Sequence, residues 1–252
     1  MDKGLHCDHR LCPDSTCVST QNALKTRNGT DLTGEFDPTL YGWRTNGDHG
    51  VITSLTNCYP AFYAAKLMQY LARPGDTIVS ASTDFLLLSA YAARRADGAV
   101  SLLLVNKSLT TNFNAQILLG GFSPSPTAAV YSYGIPQDNA ARTGIGSTDI
   151  AVTNFTGAGT NFTFNAAPLS LTVFSLAPTA PSLAAQTPVR GAGQFVFQLR
   201  GQPGVPYVIQ SSTNLSGWIS VVTNTLTGSS LNHTNTLSAG TRVQFWRAVW
   251  KL

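Results

Sequence analysis

The side chains able to do chemistry fall into three groups. The first is Asp48 and His49, set between Gly47 and Gly50. Imidazole titrates near neutrality, so this pair could act as general acid and base on an ester, lactone or glycoside. No Gly-x-Ser-x-Gly elbow accompanies it, and a loop histidine bonded to a backbone carbonyl is the plainer reading. The second group is His6, Cys7, Asp8 and His9 with Cys12 and Cys17, an N-terminal run of soft metal ligands. Zinc sites join a close Cys pair to a distant second pair, and no second pair exists here. We therefore expect no cofactor, with a bound metal ion on this run as the alternative. The third group is aromatic. Trp43, Tyr131, Tyr133, Tyr207 and Trp218 could stack on the apolar face of a pyranose ring, with Asn or Arg at the rim orienting hydroxyls. Burial in a core competes with this role at each position. Trp218 follows the turn-forming Asn214-Leu-Ser-Gly, which favours exposure, whereas Trp246 and Trp250 lie within a terminal strand pattern.

Glycosidase chemistry is poorly provided for. Retaining enzymes need two carboxyl groups about 5 Å apart, and the chain has a single glutamate, Glu35, in a loop-like stretch. Asp76 and Asp97 sit beside glycines and read as turn residues.

The elements that would position these groups are mostly strands. Tyr59–Leu71 carries apolar residues at helical spacing, opens on Pro60 and stops at Arg73-Pro74-Gly75. Thereafter the period changes to two. Strands are expected over 77–81, 86–94, 100–106, 114–118, 128–133, 160–164 and 169–176, then over 195–199, 207–211, 219–223 and 243–250. Pro178-Thr-Ala-Pro181-Ser reads as a linker between the two series. The first 22 residues show neither period and are expected to be poorly ordered. The fold class that follows is all-β: two β-sandwich modules with one short helix and a poorly ordered N-terminal tail.

Composition agrees. In 252 residues only 11% are charged, and the formal charge of +4 is carried by scattered Lys and Arg with no basic run. That pattern argues against a nucleic-acid partner. No apolar stretch is long enough to cross a bilayer, so no membrane partner is expected, and residues 1–22 lack the apolar core of a signal peptide.

Three stretches carry a family resemblance: Tyr41-Gly-Trp-Arg, Tyr59-Pro-Ala-Phe-Tyr-Ala-Ala-Lys-Leu-Met-Gln-Tyr, and Arg73-Pro-Gly-Asp-Thr-Ile-Val. Leu88-Ser-Ala-Tyr-Ala-Ala-Arg-Arg-Ala-Asp-Gly, Leu103-Leu-Val-Asn-Lys-Ser and Pro168-Leu-Ser-Leu-Thr-Val-Phe-Ser-Leu extend it. Together, over about residues 27–177, they resemble the last barrel helix and C-terminal β-sandwich of clan-A glycoside hydrolases, arabinofuranosidase-like and family 44 endoglucanase-like. The segment from Gly201-Gln-Pro-Gly to Trp218 is similar to accessory modules of secreted bacterial proteins.

The resemblance implies an extracellular parent family, a polysaccharide or oligosaccharide partner, and four regions. These are an irregular tail and barrel remnant over 1–39, a helix plus sandwich over 40–177, a linker over 178–188 and a small accessory sandwich over 189–252. It stops upstream of Arg27, as it would in a truncated gene, and no catalytic residue of the family transfers. The expected function is a carbohydrate-associated accessory or binding fragment; the alternative is a small hydrolase using Asp48 and His49. A helix that packs on a barrel in such relatives would expose its apolar face here, so we expect a homo-oligomer formed through helix 59–71.

Overall fold

A computed structural model describes residues 52–54, 57–186, 194–236 and 243–251. Among them are sixteen strands and two helices, and the fold is all-β. After a short antiparallel pair, β1 (Ile52–Ser54) and β2 (Asn57–Cys58), comes helix α1 (Pro60–Leu71). Pro60 suits the first turn, where its missing N–H leaves no hydrogen bond unmade. The stop is built by Asp76, whose carboxylate accepts from Arg73 N at 2.8 Å and from Ala96 N at 2.9 Å. A turn role thus occupies both of its oxygens.

Eight strands follow: β3 (Thr77–Val79), β4 (Leu88–Arg94), β5 (Val100–Asn106), β6 (Phe113–Leu118), β7 (Thr127–Tyr133), β8 (Ala151–Thr156), β9 (Asn161–Ala166) and β10 (Ser170–Leu176). Six form one sheet in the order β3-β4-β5-β10-β7-β8, and β6 pairs with β9 in a second. Alternation sends Leu102, Leu104, Val130 and Phe174 to one face, where Ile117 and Phe162 of the small sheet close over them. Leu103, Val105, Leu171, Val173 and Tyr133 point to the other face and meet Tyr63 and Leu67 of α1. A strand covered on both sides has no solvent face, so the central β5 and β10 read as near-continuous apolar runs.

This arrangement corrects two expectations. The apolar face of α1, which the sequence reading leaves open for a second copy, lies on the chain's own sheet, with Leu67 wholly buried. Lys66 pins the helix further through Asp149, at 2.6 Å. The single helix becomes two: Ile135–Thr143 forms α2. Its residues are mostly polar and give no apolar stripe. Local chemistry builds it instead, with Pro136 in its first turn, Gly134 N donating to Gln137 Oε1 at 3.0 Å, and Gly144 in the left-handed region closing it.

Beyond residue 180 lie β11 (Ser182–Ala185), β12 (Gln194–Arg200), β13 (Pro206–Ser212), β14 (Ile219–Thr225), β15 (Ser230–Thr236) and β16 (Phe245–Trp250). They make two three-stranded sheets, β11-β12-β15 and β14-β13-β16, around a core of Phe197, Leu199, Val205, Tyr207, Ile209 and Leu226. Residues 182–185, read as linker from the sequence, are an edge strand of this second block.

The turn Gln202-Pro203-Gly204 wedges the two blocks together. The Gln202 amide donates to Gly121 O at 2.8 Å and accepts from Ser123 N at 3.0 Å. Arg94 donates to Pro203 O at 2.6 Å, and the Trp250 indole N–H reaches Asp97 O at 2.7 Å. Gly98, at φ +88°, lies so close to Val205 that a β-carbon there would fall 2.9 Å from Cγ2.

Candidate functional site

Asp48, His49, Trp43 and the run His6, Cys7, Asp8 and His9 lie outside the described residues, as does Glu35. Four of the aromatic candidates are described, and they do not converge. Tyr133 is 1% exposed, its ring stacked on Tyr63 at 4.8 Å between centroids. Tyr207 is fully buried, its ring against Gly201 and its hydroxyl accepting from Gln202 N at 2.9 Å. Burial pushes that phenol's pKa up, and no sugar can reach either ring. Both expectations are corrected for the same reason: a tyrosine on the covered face of a strand is packing material. Tyr131 is half-buried, and Tyr70 of α1 stacks on one face of its ring at 3.8 Å.

Trp218 differs. It follows the loop Ser212–Gly217, which side chains hold in place: Ser212 Oγ accepts from Asn214 N and Leu215 N, and Asn214 Oδ1 accepts from Ser216 N and Gly217 N. Leu215 is driven into the left-handed region, at φ +64°, and its carbonyl accepts the Trp218 indole N–H at 3.0 Å. The ring is half-buried, and the Arg247 guanidinium lies 4.2 Å from its centroid.

Register places the neighbours of this ring on the outer face of the β14-β13-β16 sheet. Gln210 opposes Arg247 on one side and Ser220 on the other. Its amide oxygen accepts from Arg247 Nε at 2.8 Å, and its nitrogen donates to Ser220 Oγ at 3.4 Å. The outcome is a ladder of Ser220, Gln210, Arg247 and Trp218 open to water, with an aromatic ring at its end. Sequence reasoning finds Trp218 through its turn but misses Arg247 and Gln210, which come to the ring only through strand pairing.

A concavity of about 340 Å³ lies between the end of the larger sheet and β9. Its lining includes Ser132, Thr153, Thr172, Asn165 and Phe164, beside the start of α2. Among the described residues no group of three or more His, Cys, Asp or Glu could hold a metal ion, and Cys58 carries a free thiol. No described helix is long and apolar enough to cross a membrane.

No protein-family model matches the chain, and no curated protein does. Among solved structures, a bifunctional glucanase-xylanase from a metagenome library is 27% identical over 48% of this chain and 22% of that one, with a TM-score of 0.39. A Paenibacillus polymyxa xyloglucanase from glycoside hydrolase family 44 is 24% identical over 40% of this chain and 18% of that one, at 0.33. A family 30 endoxylanase from Clostridium papyrosolvens C71 is 14% identical over 63% of this chain and 39% of that one, at 0.42. The chain spans about a fifth of the first two enzymes and about two fifths of the third. These likenesses are partial, and they assign the chain neither a family nor an activity.

Proposed function

We propose that this chain is a carbohydrate-binding accessory module of the kind that accompanies glycoside hydrolases, acting without a glycosidase site of its own. The observation that carries this reading is Trp218. Among the described aromatic candidates it alone joins a part-exposed ring to hydrogen-bonding side chains on an open sheet face. Apolar C–H groups of a pyranose would meet the part of the ring that Arg247 leaves open, and Gln210, Ser220 and Arg247 would meet hydroxyls or other polar groups beside it. The motifs over residues 27–177 and the presence of one glutamate in the whole sequence support the same reading.

The test combines retention on insoluble cellulose and xylan with a turnover screen on chromogenic glycosides, esters and lactones. Retention without turnover, weakened about tenfold in Trp218→Ala and unchanged in His49→Ala, is the expected result. Turnover that both Asp48→Asn and His49→Ala abolish would replace the proposal with a hydrolase.

A further inference from the structure

We infer that the Trp218 face takes acidic polysaccharides, chains that carry uronic acid carboxylates, in preference to neutral ones. This deepens the carbohydrate-binding proposal above and rests on it. The first ground is how charge is distributed along the chain. No Asp or Glu occurs after Asp149, so all twelve carboxylate side chains lie at or before that residue. Arg190, Arg200, Arg242, Arg247 and Lys251 follow it. The second block is therefore purely cationic in its side chains, although the net charge of the whole chain is only +4.

The second ground is how Arg247 is held. A buried or structural arginine is normally fixed by a carboxylate, which cancels its charge as it orients the fork. Here the orienting group is the neutral amide of Gln210, and the indole of Trp218 supports the guanidinium plane. Both fix direction and leave the charge intact. Nε is used internally, and the forward nitrogens of this exposed side chain form no ion pair among the described residues. Lys251 continues the alternation of Arg247 and Val249 and adds a second exposed cation about 13 Å along the strand direction.

A guanidinium stacked over an indole keeps its forward nitrogens for a ligand: the fork takes a carboxylate two-handed, and the sugar C–H groups lie against the part of the ring that Arg247 leaves open.

The experiment is affinity electrophoresis of the full chain in gels of polygalacturonate and of the same polymer fully methyl-esterified, at about 20 and 300 mM salt. The expected result is stronger retardation by the free acid, weakened by salt and reduced by esterification to the level of a neutral polymer. Arg247→Gln should lose about tenfold in affinity for the acid and no longer tell the two polymers apart. Arg200→Gln, on the outer side of the opposite sheet, should leave retention unchanged. Equal retardation by acid and ester overturns the preference while leaving the module a carbohydrate binder. No retardation by these polymers or by neutral xylan overturns both readings. Stronger retardation by single-stranded DNA than by polygalacturonate would reassign the face to nucleic acid and sink the proposal.

Discussion

The two β-blocks treat their sheets differently. In the first, the six-stranded sheet is covered on one face by β6 and β9 and on the other, over its central strands β5, β10 and β7, by α1. Two of its strand tyrosines are spent on packing, Tyr133 against Tyr63 and Tyr131 against Tyr70, while Tyr91 on β4, beyond the reach of α1, is 51% exposed. In the second, each three-stranded sheet covers the other, which leaves the outer face carrying Gln210 and Arg247 to water. The lesson is that an aromatic ring becomes available to a ligand only where no further element lies over it. Trp218 meets that condition, and Tyr133 does not.

The comparison can be broken most forcefully through α1. Leu67→Ala empties a wholly buried site between helix and sheet, and we expect a loss of about 3–5 kcal/mol in denaturant unfolding. Retention by the Trp218 face under native conditions should persist. A loss below about 1 kcal/mol would mean that the helix is not a true third layer.

A smaller effect is expected at the seam. Gln202→Ala removes two hydrogen bonds between the blocks and should cost about 1–3 kcal/mol. It should also split one unfolding transition into two when tryptophan fluorescence is followed beside far-ultraviolet dichroism. Coincident, unshifted transitions would show that these two bonds contribute nothing to the coupling of the blocks.

The smallest effect concerns the ion pair that pins α1. Its hydrogen bond to Asp149 holds the Lys66 pKa above the ordinary 10.5, and the same bond holds the Asp149 carboxyl below the ordinary 3.8. A lowered carboxyl value stabilises above 3.8 and loses that stabilisation as pH falls through the folded value. The raised amine value stabilises below 10.5 and loses it as pH rises past the folded value. Both side chains are well exposed, at 33% and 54%, so Asp149→Asn should cost about 0.2–1 kcal/mol at pH 7. The difference from the parent chain should shrink toward pH 3, and a constant difference across that range would remove the pair as its cause.

How far the sequence could be read follows the same division. Strands β5, β10 and β12 and helix α1 announce themselves, because apolar runs and helical spacing record burial directly. Strands β8 and β15 and helix α2 do not, since Ala151–Thr156, Ser230–Thr236 and Ile135–Thr143 are rich in Thr, Asn, Ser and Gln. Both strands sit at sheet edges, where pairing with one neighbour suffices and little apolar surface is needed. For the site, alternation tells which residues share a face of a strand but not whether another layer covers that face. That is why Tyr133 and Tyr207 read as candidates and fold as core. Arg247 becomes visible only when strand register sets it across from Gln210, thirty-seven positions away in sequence.

The Gln202 turn has a consequence for inheritance. A module on a free tether can be exchanged between proteins by recombination, because nothing on its neighbour has to change. Here the neighbour supplies Gly121 O, Ser123 N and the tight space beside Gly98, and the module supplies Gln202 and Val205 to fill them. The Gln202 bonds go to main-chain atoms that other residues could also supply, so it is at Gly98 and Val205 that a substitution on one side should be tolerated only with a matching one on the other.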